Sequence, residues 1–254
     1  MEISLQINGI SKKFSVHPAD TLFKVLRIAG YYSIKFGDEQ GFSGVDTVLL
    51  DGKPVNSGMV LAAQAEGHQI VTAEALGTFP DQGWNKSGGL HPLQLAFIDT
   101  GAIQCGYCTP SQLLAAKALL DVNKDPSEDE VREAISGVLC RCTGYQKPVE
   151  AIIRAAAILR GDIPKNPYSN FLIPLENNRN LSTVGKSVPK SDAVKLSQGK
   201  PAFTADLEMS GMLFAKVLHS PHAHAQIRSI NVDKAKLLPG VAAILTWKDI
   251  RDFI

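Results

Sequence analysis

The stretch Gln104-Cys105-Gly106-Tyr107-Cys108-Thr109-Pro110, together with Cys140-Arg141-Cys142, decides how this chain is organised. These two segments hold all four cysteines of the 254 residues. Two residues separate the cysteines of the first pair, one separates those of the second, and 31 lie between Cys108 and Cys140. Paired thiolates that a fold brings together are typical of a four-sulfur metal site.

Helical patterns flank both cysteine pairs. Apolar residues predict a short helix over 90–100, and Thr109-Pro110 predicts a helix start, with Thr as the N-cap and Pro at the first helical position. Ser127-Glu128-Asp129-Glu130 is a capping box that opens a third helix. A fourth helix is expected over 145–160, and Gly161 ends it.

Four helices with short connections pack most simply in an up-down-up-down arrangement, which places the first and third loops at one end. Those two loops carry the cysteine pairs. The predicted bundle therefore converges four thiolates at one end, without any cysteine inside a helix.

Composition narrows the classes of function. A hydrophobic fraction of 44% supports real cores, and a formal net charge of +1 gives no attraction toward nucleic acid or an anionic membrane surface. No apolar run reaches the roughly 18 residues of a membrane span, and the N-terminus shows no secretory signal. Clustered cysteines without such a signal favour metal binding in a reducing compartment over disulfides, so we expect a cytoplasmic location.

The first 76 residues predict a small mixed domain. Asn8-Gly9 and Asp51-Gly52 mark two hairpin turns, and Asp20 is the expected cap of a short helix over 22–26. Two hairpins around a helix predict a β-grasp-like ubiquitin or ferredoxin fold. The expected strands cover 3–7, 12–16, 47–50 and 70–73.

A glycine-rich stretch over 79–89, with Trp84, predicts a connector into the four-helix domain, which we place at 77–161. The composition changes after that domain. Sequence rich in proline and asparagine over 162–197 predicts an extended surface linker, and strand-like patterns return over 198–254. The expected fold class is α+β: a β-grasp ferredoxin-like domain over 1–76, a four-helix bundle, a linker and an incomplete mixed α/β segment. The strands predicted in that last segment cover 203–206, 212–218, 225–230 and 241–245.

The order of these parts, with the motifs Gln-Cys-Gly-Tyr-Cys-Thr-Pro and Leu-Cys-Arg-Cys-Thr-Gly-Tyr, resembles the iron–sulfur part of the molybdenum hydroxylases, the xanthine dehydrogenase and aldehyde oxidoreductase family. The resemblance covers essentially the whole chain. Residues 198–254 are similar to the beginning of the hammerhead-like domain of the molybdenum-binding chain, which we expect to be truncated here. The resemblance implies that Gln104 and Cys142 lie against a molybdopterin. It also implies that one 2Fe–2S cluster is held in the bundle by Cys105, Cys108, Cys140 and Cys142. The backbone N–H groups of Gly106, Arg141, Thr143 and Gly144 are the expected hydrogen-bond donors to its sulfurs.

The first domain departs from the family pattern, which normally places a second, plant-type 2Fe–2S cluster there. Asp38, Ser43 and Asp46 stand where three of its thiolates are expected, and Gly58 stands at the fourth position. Iron with bridging sulfide prefers thiolate ligands, so we expect no cluster in this loop. Of the two alternatives, a hard divalent ion on the carboxylates and a loop kept for its fold and docking surface, the second is favoured.

The resemblance implies an electron-transfer component of a molybdenum-dependent oxidoreductase, with no complete catalytic site in this chain. Substrate, a purine, heterocycle or aldehyde, is expected to be hydroxylated at molybdenum on a molybdopterin-binding large chain. A flavin (FAD) subunit or a ferredoxin-like protein is the expected acceptor, and loss of the outer cluster predicts a changed electron exit. A structural or adaptor protein that binds zinc through its four cysteines and an inactive truncated fragment remain the alternatives.

Overall fold

The computed structural model describes residues 1–77, 89–163 and 190–249. The chain separates into two compact units, Met1–Asp206 and Leu207–Ile254. The predicted connector around Trp84 and most of the predicted linker lie outside the described residues. The fold is mixed α+β, with one five-stranded sheet and several helices among the described residues.

The sheet occupies the N-terminal part of the chain and has the strand order β2-β1-β5-β3-β4. Strands β1 and β5 are parallel, and the other neighbours are antiparallel. Asn8-Gly9 and Asp51-Gly52 have positive φ at both residues, as two-residue hairpin turns require, so both predicted hairpins are confirmed. The strands are β1 (Glu2–Ile7), β2 (Ile10–Ser15), β3 (Thr47–Leu50), β4 (Lys53–Asn56) and β5 (Gln69–Val71).

Strand β3 is buried on both faces because it lies between two layers of helix. Successive side chains of a strand point to opposite faces. Val48 belongs to the apolar core that β1 shares with helix α1 (Leu22–Ile28), whereas Leu49 belongs to the core of the helices that follow. The sheet is thereby fixed against the helical part of the same unit.

The N-cap of helix α1 lies one residue later than expected. The hydroxyl of Thr21 accepts the Lys24 N–H at 3.3 Å and serves as the N-cap. The prediction that Asp20 caps this helix was wrong. The Asp20 carboxylate instead accepts the His17 N–H at 2.8 Å and pairs with the Lys24 ammonium at 2.7 Å.

Four helices follow in the predicted places. Helix α2 contacts α3 and α5, and α4 contacts the same two helices. The capping box at Ser127 and the left-handed Gly161 that ends α5 are both confirmed. Thr109 is the first residue of α3 and Cys108 is its N-cap, so the predicted cap is wrong by one residue. The helices are α2 (Pro92–Asp99), α3 (Thr109–Val122), α4 (Glu128–Ile135) and α5 (Gln146–Arg160).

Two expectations for the rest of the chain were wrong. The end of the predicted linker forms helix α6 (Ala193–Ser197), whose Ala193 and Leu196 are buried in the helical core. Residues 203–206 form a helical turn, and the described residues 207–249 contain a short helix α7 (Asp233–Lys236) but no strand. A strand needs a hydrogen-bonded neighbour, and the predicted strands find none among the described residues. Their apolar side chains remain exposed, as in Phe214 (92%).

Single turns of 3-10 helix complete the structure. They lie at Ser57–Met59, Ala62–Ala65, Ala73–Ala75, Thr204–Asp206 and Trp247–Asp249. No helix in the described ranges is both long enough and apolar enough to cross a membrane.

Candidate metal centre

Two loops carry the cysteines: the first cysteine loop (100–108) joins α2 to α3, and the second (136–145) joins α4 to α5. Gly106 has φ +83, and a Cβ there would lie 2.6 Å from a methyl carbon of Leu196, so α6 presses directly on the first loop. Tyr145 takes the left-handed conformation at φ 66, which is uncommon for a residue with a side chain. Its backbone N–H donates to the Thr143 hydroxyl and its own hydroxyl accepts the Cys140 N–H at 2.8 Å.

The structure brings the four thiols together in two pairs that cross from one loop to the other. Hydrogen-bond and charge interactions join the thiol of Cys105 to that of Cys142 and the thiol of Cys108 to that of Cys140, and smaller charge interactions link Cys105 to Cys140 and to Cys108. Two such pairs are the ligand set that a two-iron cluster needs, because each iron takes two protein ligands.

The two pairs differ in their exposure. Cys108 is buried and Cys140 is partly buried, whereas Cys105 and Cys142 are both exposed. Gln104, the other residue expected at the pterin, is exposed beside Cys105. The site therefore has an inner pair, Cys108 with Cys140, and an outer pair, Cys105 with Cys142, next to Gln104.

The surroundings shift the pKa values of the thiols in different directions. Burial raises the pKa of Cys108 far above the ordinary thiol value, and burial is also the main cause of the raised pKa of Cys105. Burial opposes ionisation of Cys140 too, but hydrogen bonds from the side chain and backbone of Thr143 and from the Cys142 N–H lower its pKa. The Thr143 hydroxyl lies 3.1 Å from the Cys140 sulfur.

Backbone donors reach the sulfurs partly where the sequence predicted them. Donors were expected at Gly106, Arg141, Thr143 and Gly144, and the Thr143 N–H is confirmed as a donor to Cys140. The Tyr107 N–H reaches Cys105 and the Cys142 N–H reaches Cys140, and neither was predicted. Both are set by the local fold of the loops, which cysteine spacing does not specify.

An aromatic and ionic contact beside the first cysteine loop was missed by sequence reasoning. The ring of Phe203 meets that of Tyr107 edge to face at 5.1 Å, and the Lys35 ammonium lies 4.7 Å from the Phe203 ring centre. Asp206 pairs with Lys35 at 2.7 Å and with Arg27 at 2.9 Å. Burial lowers the pKa of Lys35, and these two cations lower the pKa of Asp206 although burial opposes them.

The N-terminal loop, residues 36–46, closes on itself through Asp38. The two carboxylate oxygens of Asp38 accept backbone N–H groups from Gln40 at 2.7 Å, Phe42 at 3.1 Å and Ser43 at 2.7 Å. Hydrogen bonds from Ser43 are the main cause that holds the pKa of Asp38 well below its usual range. The carboxylate is thus already occupied by donors of its own loop.

The other three positions where the family places cluster ligands are also joined by hydrogen bonds to the backbone. The Gly58 N–H donates to Asp46 at 2.6 Å, so these two positions are neighbours, as are Asp38 and Ser43. Burial raises the pKa of Asp46, and the nearby charge of Asp38 raises it further. The structure brings the four positions together, but they offer no thiolate, and their two carboxylates accept hydrogen bonds from backbone N–H groups. These residues do not fit an iron–sulfur cluster.

Comparison with known proteins gives the family. A model described as 2Fe-2S binding domain matches residues 78–153, a range that includes all four cysteines. A second model, the aldehyde oxidase and xanthine dehydrogenase a/b hammerhead domain, matches residues 198–253. The nicotine 6-hydroxylase small subunit of Paenarthrobacter nicotinovorans is 43% identical over 159 residues, which cover 61% of this chain and 89% of that protein. The chain belongs to the molybdenum hydroxylase family.

Longer members of the molybdenum hydroxylase family match almost the whole chain. The probable hypoxanthine oxidase XdhD of Escherichia coli is 35% identical over 253 residues, 99% of this chain and 25% of that protein. The solved aldehyde oxidoreductase from Desulfovibrio desulfuricans aligns with a TM-score of 0.82 at 36% identity, over 98% of this chain and 27% of that one. The chain therefore spans about a quarter of the length of these relatives.

Proposed function

We propose that Cys105, Cys108, Cys140 and Cys142 hold one 2Fe–2S cluster, and that the chain is the electron-transfer part of a molybdenum hydroxylase. The observation that carries this proposal is the crossed pairing of thiols from two loops of a 2Fe-2S binding domain. When bound, such a cluster accepts and releases electrons one at a time. The chain supplies the ligands and their surroundings.

The residues around the thiols support this role by fixing and shielding them. Donors from Tyr107, Thr143 and Cys142 point at sulfurs, and such hydrogen bonds stabilise thiolate and tune the potential of a bound centre. Leu196 covers Gly106, and the burial of Cys108 keeps water from the inner pair. Loading requires the thiols to lose their protons, so binding is coupled to proton release.

The outer pair is the proposed side of electron entry. Cys142 and Gln104 are exposed and therefore available to a molybdopterin held by a molybdenum-binding chain or region. No catalytic residue is assigned to this chain. The relatives are named as a probable hypoxanthine oxidase, an aldehyde oxidoreductase and a nicotine 6-hydroxylase small subunit, which supports a purine, aldehyde or aromatic heterocycle as substrate class. A flavin subunit or a ferredoxin-like protein is the proposed acceptor.

The finer architecture belongs to the same proposal. We assign 1–76 to a β-grasp ferredoxin-like domain, 77–161 to the four-helix cluster-binding domain, 162–192 (the part of the predicted linker that precedes α6) to a linker, and 198–254 to the beginning of a hammerhead-like domain. The strand order of the sheet and the two family matches support this division.

Reduction of the anaerobically purified protein tests the proposal. We expect dithionite to bleach a visible spectrum and to produce one electron paramagnetic resonance (EPR) signal, integrating to about one spin per chain, that air oxidation removes. Iron-free protein with no such signal would contradict an electron-transfer role.

A further inference from the structure

The N-terminal loop contacts both cysteine loops although it has no thiol of its own. The Tyr107 hydroxyl, between the two cysteines of the first loop, donates to the Phe36 carbonyl at 2.7 Å. The Leu139 N–H, directly before Cys140 in the second loop, donates to the Ser43 carbonyl at 2.8 Å. The N-terminal loop thus bridges the two segments whose thiols form the crossed pairs.

Two further contacts fix the loop against the helices that carry the site. The buried Ser111 hydroxyl, in the first turn of α3, donates to the Val45 carbonyl at 2.7 Å. Gly44 lies so close to the second cysteine loop that a Cβ on it would fall 1.9 Å from the Gly137 carbonyl oxygen. These contacts use backbone groups of the N-terminal loop, so they depend on its conformation more than on its side chains.

That conformation is held by carboxylates in the places where the family pattern puts iron ligands. Asp38 gathers three N–H groups within five residues, and Asp46 ties the end of the loop to Gly58. A carboxylate that accepts several N–H groups orders a turn in the way a bound ion does, because it satisfies the inward-pointing donors.

We propose that the N-terminal loop is a metal-free brace, closed by Asp38 and Asp46, that positions the two cysteine loops relative to each other. Asp38 and Asp46 are positioning residues, since they act on the thiols through the backbone of 36–46. This inference rests on the proposed function, because the brace has a measurable effect only where a cluster occupies the thiols.

Loosening the brace should loosen the cysteine loops in turn. Without the Asp38 carboxylate three backbone donors lose their acceptor, and the loop gains conformational freedom. The carbonyls of Phe36 and Ser43 then hold Tyr107 and Leu139 less firmly, and the crossed thiol pairs fluctuate more. A cluster held by fluctuating ligands loses iron faster and has an altered ligand geometry.

The test compares Asp38→Ala with Asp51→Ala in the iron-loaded protein. Asp51 serves as the control because its carboxylate also accepts a backbone N–H, from Gln69 at 2.8 Å, and contacts His68 at 2.6 Å, in a hairpin turn outside the N-terminal loop. We expect Asp38→Ala to transfer iron to a chelator at least about threefold faster than wild type, with shifted g values in the EPR spectrum of the reduced protein. Asp51→Ala keeps the wild-type rate and g values.

Two milder variants keep the test decisive if Asp38→Ala does not fold. Asp38→Asn retains one acceptor oxygen, so its rate of iron loss should lie between those of Asp38→Ala and wild type. Tyr107→Phe leaves the N-terminal loop closed but removes its bond to the first cysteine loop, so it should shift the g values with little change in thermal stability.

The outcomes separate the brace from the proposed function. Wild-type protein with no iron or sulfide contradicts the proposed function and removes the basis of the brace. An intact cluster whose iron loss and g values are the same in Asp38→Ala, Tyr107→Phe and Asp51→Ala overturns the brace alone. A second cluster or an ion in the N-terminal loop of wild type also overturns it.

Discussion

The cysteine loops bring four thiols together, and the N-terminal loop with Gly58 brings together the four positions that lack them, yet the two sites differ in what their side chains already contact. Asp38 and Asp46 have their carboxylates occupied by backbone N–H groups, whereas the thiols of the cysteine loops face one another across two loops. Convergence alone therefore does not make a metal site. Whether a metal binds depends on which ligand atoms are present and on whether hydrogen bonds within the protein already occupy them.

The largest effect we expect comes from removing a sulfur of the inner pair. Cys108→Ser replaces a buried thiolate by a hydroxyl that iron binds poorly, and bound iron should fall below about a tenth of the wild-type content. Ser43→Ala is the corresponding change at a ligand position of the N-terminal loop; it removes one hydrogen bond to Asp38 but no thiolate, so the purified protein should retain most of its iron. Iron and sulfide assays on both variants check this, and equal loss in the two would erase the distinction between the loops.

A substitution at the contact between the two regions should have the next largest effect. Gly44→Ala adds a Cβ that meets the Gly137 carbonyl oxygen and forces alanine into φ +63, so the free energy of unfolding should fall by about 3 kcal/mol. Gly52→Ala has a similar φ, +78, but nothing within 4 Å of the new Cβ, so it should cost about 1 kcal/mol.

Urea unfolding followed by circular dichroism measures both variants. The difference between them isolates the contact between the N-terminal loop and the second cysteine loop from the strain of a left-handed alanine. Similar losses in the two variants would show that Gly44 makes no important contact there.

The smallest expected effect separates the two carboxylates within the N-terminal loop. Asparagine keeps one acceptor oxygen, which suffices for the single Gly58 N–H at position 46 but not for the three N–H groups at position 38. At pH 7, Asp38→Asn should therefore lower the urea midpoint more than Asp46→Asn does.

The pH dependence of that difference has a definite sign. The folded-state pKa of Asp38 is lowered, so its stabilisation is complete above the ordinary carboxyl pKa of about 4 and is lost as the pH falls below it. Burial raises the pKa of Asp46, so its charge opposes folding above that range and protonation relieves the cost. Urea midpoints should show the gap between the variants shrinking as the pH approaches 4, and a gap that widens would contradict these assignments.

Local sequence patterns correctly predicted the features that depend on residues close together in the sequence. The capping box at Ser127, the end of α5 at Gly161 and both hairpin turns each depend on a few adjacent residues. The convergence of the cysteine loops was also predictable, because helix number and loop length constrain which ends of a bundle meet.

The parts that could not be predicted depend on contacts between residues far apart in sequence. Phe203 meets Tyr107, and Lys35 meets Asp206, across intervals that carry no periodic signal. Buried Leu196 lies in a short helix at the end of sequence rich in proline and asparagine, where composition predicted an open linker. Strands were predicted over 207–249 from alternation alone, but alternation specifies a strand only where a neighbour is present.

Iron, acid-labile sulfide and zinc, measured together on anaerobically purified protein, test most directly the claim that thiols bind a cluster and the carboxylate loop does not. We predict about two irons and two sulfides per chain and no zinc, with both iron and sulfide lost in Cys108→Ser. About four irons would place a second cluster in the N-terminal loop, and about one zinc without iron would make the cysteine site structural. Either result would contradict this account.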